Sequence, residues 1–125
     1  MDKKIIFIED DEFLARIYQN FLEEHGFDVF LATLAEDGLK VVKREKPDLI
    51  VLALLLPDIE DDLFFMIKTI KGLDELKDIP IVILSNVAQY DDVQEALKLG
   101  VDSFLIKAHT TPEMLFRVIE RILNK

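Results

Sequence analysis

Five times in 125 residues, a short β-branched apolar run is followed by a longer stretch with helical spacing, and this alternation limits the possible folds more than any single motif. The runs are Lys4–Ile8, Asp28–Ala32, Leu49–Leu54, Ile81–Leu84 and Ser103–Ile106. Strands joined through helices must run parallel, and their crossovers are right-handed. The first and third runs are almost wholly apolar, as expected of central strands covered on both faces. The expected fold class is α/β: a doubly wound (βα)5 three-layer sandwich around a parallel five-stranded sheet, ordered 2-1-3-4-5, with residues 1–125 as one domain.

The helical stretches carry their own boundary signals. In the first, Phe13, Ile17 and Phe21 form one stripe with Leu14, Tyr18 and Leu22 beside it. Asp11 is placed to cap its start and Gly26 to stop it. Thr33-x-x-Glu36 reads as a capping box opening the second helix, which Gly38 weakens without forbidding. The third helix carries Leu63, Ile67 and Ile70 and ends near Gly72. The fourth covers roughly 91–99 and stops at Gly100. Thr111 followed by Pro112 opens the fifth, whose Leu115, Ile119 and Ile122 face the core.

Composition narrows the function classes. The formal net charge is −10 and no basic stripe offsets it, so direct nucleic acid binding is not expected. There is no cysteine, hence no disulfide framework or thiolate metal site, which accords with a reducing cytoplasm. No apolar run approaches the ~20 residues of a membrane span, and the acidic start MDKKIIFIEDD reads as a first strand rather than a signal peptide.

Ligands of such sheets bind beyond the carboxyl ends of the strands, near the switch point between strands 1 and 3. Strand 1 leads into Glu9-Asp10-Asp11, strand 3 into Ala53-Leu54-Leu55, strand 4 into Ser85-Asn86 and strand 5 into Lys107. Two carboxylates pushed to one edge repel unless a cation joins them, and an all-oxygen set suits Mg²⁺. On this reading Asp11 caps the helix while Glu9 and Asp10 form the cation site. An ammonium ending an apolar strand is costly unless it meets an anion, so Lys107 is expected to reach a phosphoryl group or a carboxylate across the edge. Ser85 is a hydrogen-bond donor for a phosphoryl oxygen. Neither His25 nor His109 has a partner in sequence that suggests catalysis, and both read as structural.

Taken together, FIEDDEFL, PDLIVL leading to LLLPDIED, IPIVILSN and LGVDSFLIK make the chain resemble a response-regulator receiver domain of two-component signalling, over essentially its whole length. The resemblance implies a flavodoxin-like fold. It implies that Glu9, Asp10 and the backbone carbonyl of Leu55 hold Mg²⁺, that Ser85 and Lys107 contact the phosphoryl group, and that Ser85 and Phe104 form the switch. It implies a cognate histidine kinase or phosphotransfer protein upstream, an effector protein or domain downstream, and a homodimer through the face of helix 4, strand 5 and helix 5.

Ala53 falls where the family places its phospho-accepting aspartate. A methyl group forms no acyl phosphate, so the reaction is lost at this position, and the missing anion weakens Mg²⁺. Either a natural pseudo-receiver or an engineered block accounts for it. Asp62 replaces a usual glycine in what is expected to be the loop before helix 3, and Ala108 replaces a usual proline after Lys107. A trans bond is expected before Ala108, with a shifted loop over 108–110. Two other functions compete: a constitutive interaction module using the helix 4–strand 5–helix 5 face without phosphate, and a Mg²⁺-dependent phosphatase. The phosphatase lacks its nucleophile at Ala53, and Asp58 and Asp61 lie beyond in an expected loop.

Overall fold

The structure, a computed structural model, describes residues 2–53, 59–86 and 89–124, and only the backbone of residues 59–62. The elements follow in the expected alternation: β1 (Lys3–Ile8), α1 (Glu12–Glu24), β2 (Phe27–Ala32), α2 (Ala35–Glu45), β3 (Leu49–Leu52), α3 (Ile59–Lys71), β4 (Ile81–Ser85), α4 (Tyr90–Lys98), β5 (Ser103–Ile106), a 3₁₀ turn (Lys107–His109) and α5 (Pro112–Leu123). All strand pairs are parallel and the sheet order is β2-β1-β3-β4-β5. This is the flavodoxin-like α/β sandwich expected from the sequence.

Two cores flank the sheet, sorted by the alternation of side chains along each strand. Ile5, Phe7, Leu49, Val51, Val82 and Leu84 pack with Tyr18 and Leu22 of α1 and Leu115 and Ile119 of α5. Ile6, Ile8, Ile50, Leu52, Ile81 and Ile83 pack with Val42 of α2, Met66, Ile67 and Ile70 of α3, and Ala96 of α4. The described residues of β3 are buried throughout, as a strand covered on both faces must be.

Local signals fared unevenly. Asp11 caps α1, accepting from the amides of Phe13 and Leu14, and Thr111 caps α5, accepting from Met114. Gly26 and Gly100, past the ends of α1 and α4, take positive φ, where a side chain is strained. The capping box at Thr33 does not form. The N-cap is Leu34, whose extended backbone starts α2 one residue later and which has no side chain able to cap. In α1 the buried stripe runs through Ala15, Tyr18 and Leu22, whereas Phe13 is 77% and Ile17 41% exposed. The two stripes lie side by side on one helix, and docking onto β1 and α5 decides between them. Strand 3 ends at Leu52 rather than Leu54, which lies outside the described residues. Asp61 and Asp62 belong to α3, because the helix begins at Ile59 and leaves no loop there. No described peptide bond is cis, and the residues after Lys107 form the 3₁₀ turn instead.

Gly38 has a packing reason that helix propensity alone hides. A Cβ there would stand 2.5 Å from Cδ1 and 3.0 Å from Cγ1 of the fully buried Ile8. Helix α2 therefore lies directly on β1, one residue before Glu9. Gly38→Ala gains about 1 kcal/mol of helix propensity but overpacks the core by about 1–3 kcal/mol. Denaturant unfolding is expected to show a net loss for Gly38→Ala, smaller when Ile8→Val removes the crowding methyl.

Candidate functional site

The edge of the sheet at the strands' carboxyl ends is built by the two main-chain ladders running one step past the strands. Glu9 N–H donates to the Ala32 carbonyl at 2.9 Å, and Ala53 N–H donates to the Ile8 carbonyl at 2.7 Å. These bonds fix the backbones of Glu9 and Ala53 as rigidly as the strands they follow. By the same alternation, Glu9 continues the Ile5–Phe7 face, Ala53 the Leu49–Val51 face and Lys107 the Leu105 face, so all three belong to the side covered by α1 and α5. Ser85 and Phe104 belong to the opposite side. Ile83 pairs with Phe104 and Ser85 with Ile106, so Ser85 and Phe104 are one pleat apart on adjacent strands.

Glu9 and Lys107 meet across this edge. The Lys107 Nζ donates to both carboxylate oxygens, at 2.8 Å to Oε1 and 3.0 Å to Oε2. Glu9 is fully buried and the Lys107 side chain is only 10% exposed, so the pair is nearly dry. The carboxylate that Lys107 reaches across the edge is that of Glu9, the residue after β1. Burial pushes the Glu9 carboxyl up from 4.5 to about 7; Lys107 pulls it down, and the Asp10 carboxyl beside it raises it further. Asp10 itself is exposed. Ser85 is buried, and Ala53 is fully buried among apolar neighbours. Leu55 lies outside the described residues.

Two residues that sequence reading assigned only to core or loop support the site. Tyr18, nearly fully buried on the core stripe of α1, stacks on Phe7 with ring centroids 5.2 Å apart and donates from its hydroxyl to the Thr110 carbonyl at 3.1 Å. Thr110 in turn closes the 3₁₀ turn: its Oγ1 donates to the Ile106 carbonyl at 2.7 Å and its N–H to the Lys107 carbonyl at 3.1 Å. Helix α1 is thereby tied to the loop that presents Lys107. Burial raises the Tyr18 phenol, and the negative charge of Glu9 raises it further. The one hint in sequence is a hydroxyl in an otherwise apolar stripe. His25 has its partners on α1 and α5 instead. His25 Nδ1–H donates to the Phe21 carbonyl at 2.8 Å, with its ring against Phe21 and Phe116.

A divalent ion at Glu9 and Asp10 would find suitable oxygen chemistry but not a suitable arrangement. Both oxygens of the buried carboxylate are engaged by Lys107, and Ala53 contributes no donor. No group of three His, Cys, Asp or Glu side chains able to hold a metal occurs among the described residues. As arranged, these residues do not fit the ion.

A profile of response regulator receiver domains matches residues 5–119. The chain belongs to this family. The alkaline phosphatase synthesis transcriptional regulatory protein PhoP of Bacillus subtilis is 35% identical over 119 residues, which make up 94% of this chain and 48% of PhoP. The chain thus spans about half the length of the curated relatives it matches. A two-component response regulator from Clostridium difficile superposes with a TM-score of 0.87 at 29% identity, covering 99% of this chain and 98% of that one. The receiver domain of the sensor histidine kinase PA1611 from Pseudomonas aeruginosa, with a magnesium ion coordinated in its active site cleft, shares the fold with a TM-score of 0.84 at 21% identity over the full length of both chains.

Two outcomes follow from this geometry. The folded Glu9 carboxyl holds its proton up to about pH 7, whereas the unfolded one releases it near 4.5. The native state then binds more protons between those values, so this contribution is complete below about pH 4.5 and is lost as pH rises through about 7. The loss amounts to roughly 3 kcal/mol. Denaturant unfolding at a series of pH values is expected to show this slope, and Glu9→Gln to flatten it. Tyr18→Phe is expected to cost about 1 kcal/mol and to shift the Lys107 side-chain resonances, since the loop loses its tie to α1.

Proposed function

We propose that these 125 residues form one response-regulator receiver domain that takes no phosphoryl group at the usual position, because Ala53 stands there. The order of residues along the sheet edge carries the reading. Glu9 and Asp10 on β1, Ala53 on β3, Ser85 on β4 and Lys107 on β5 occupy neighbouring strand ends in a sheet of order 2-1-3-4-5. The acidic pair, the hydroxyl and the ammonium are those that receiver chemistry uses, and the nucleophile alone is missing.

Receiver domains of response regulators work with histidine kinases and effector domains, and the curated relatives of this chain include transcriptional regulatory proteins. We assign this chain the same classes of protein partner, a kinase or phosphotransfer protein on one side and an effector on the other, with no direct nucleic acid contact. Ser85 and Lys107 are the phosphoryl-contacting residues, and Ser85 with Phe104 the switch. The α4–β5–α5 face is the surface for output or self-association. Mg²⁺, when bound in such sites, neutralises charge around a phosphoryl group. Glu9, Asp10 and the Leu55 carbonyl are the positions that would hold it, weakly, once Lys107 is displaced from Glu9. The described helices include none long and apolar enough to cross a membrane. By its resemblance to two-component regulators, the domain works in the cytoplasm and signals rather than catalyses.

Ala53→Asp restores the nucleophile in an otherwise complete setting. Incubated with a small acyl-phosphate donor and Mg²⁺, the variant is expected to gain the mass of one phosphoryl group, and the unmodified chain none. An Ala53→Asp protein that stays unmodified contradicts the reading. A partner that binds both forms equally, with and without donor, favours the constitutive interaction module.

A further inference from the structure

The geometry points to Lys107 as the built-in cation of this site: its ammonium neutralises Glu9 in place of a divalent ion, so the site is assembled without metal. The first support is the contact itself. One ammonium spans both oxygens of a wholly buried carboxylate, at 2.8 and 3.0 Å. The second is the missing competitor. Ala53 is buried and apolar, so β3 offers the ammonium no carboxylate that would draw it away from Glu9. The third is the bracing. Tyr18 of α1 holds Thr110, and Thr110 holds both Ile106 and Lys107, so the residue carrying the cation is anchored from two elements. A divalent ion would have to displace a positioned ammonium from a dry site.

The inference borrows from the receiver reading only the identity of the ion displaced. An Ala53→Asp variant that takes no phosphoryl group would overturn that reading and leave Glu9 and Lys107 as they are.

The test is a Mg²⁺ titration of the unmodified protein at about pH 8, where Glu9 is ionised, against NaCl of equal ionic strength. Thermal unfolding and the ¹⁵Nζ resonance of Lys107 are both followed. The expected result is no saturable change beyond the NaCl control in either up to about 10 mM, because the site already holds its cation. Lys107→Met is expected to acquire a saturable response, with Tm rising by roughly 4 °C at ten times its Kd. A saturable Tm rise or a saturating Lys107 shift in the unmodified protein overturns the inference, as does a folded Lys107→Met that ignores Mg²⁺. If Lys107→Met does not fold, the Lys107 resonance of the unmodified chain decides alone.

Discussion

The buried pair between Glu9 and Lys107 organises everything at this end of the sheet. It joins β1 to β5 across two intervening strands, and it depends on main-chain ladders that hold Glu9 against β2 and Ala53 against β1. Such a pair adds little net stability, since desolvating two charges costs about what their attraction returns. Its consequence is positional. With Lys107 fixed, the 3₁₀ turn, Thr110 and Tyr18 fall into one connected arrangement that reaches back to α1. The raised Glu9 carboxyl shows the cost of burial still outweighing the help from Lys107.

On the proposed reading, this arrangement separates the scaffold of a phosphoryl site from its reactivity. The strand ends deliver an acid pair, a hydroxyl and an ammonium to one edge because a parallel sheet delivers whatever follows its strands there. None of those groups makes a covalent bond to phosphorus. At position 53 the fold presents a methyl group in an apolar pocket, and the surrounding charges compensate one another instead. The family places partners on both sides of such a domain, so the absence of a nucleophile still leaves surfaces to bind through.

Much of the fold was legible because it rests on period and order. The β-branched runs gave five strands, the intervening helices forced them parallel, and Asp11 and Thr111 capped as short polar side chains before helices do. What failed depends on contacts between distant residues. Thr33 looked like a cap, but α2 begins one residue later, and Gly38 packs its backbone on Ile8. Phe13 and Ile17 looked as buried as Leu14 and Tyr18 because adjacent stripes of one helix are equally apolar in sequence. The candidate residues at the strand ends were legible from position alone. That Lys107 chooses Glu9, and that Tyr18 braces the loop behind it, required the tertiary fold.

A double-mutant cycle tests the central claim most directly. Unfolding free energies of the parent, Glu9→Gln, Lys107→Met and the double variant are measured at about pH 8, where Glu9 is ionised. A dry, two-point pair predicts a coupling energy of about 2 kcal/mol or more, with each single variant worse than additivity allows. A coupling within about 0.3 kcal/mol of zero would mean the two residues fold independently, and the site is not organised around their contact.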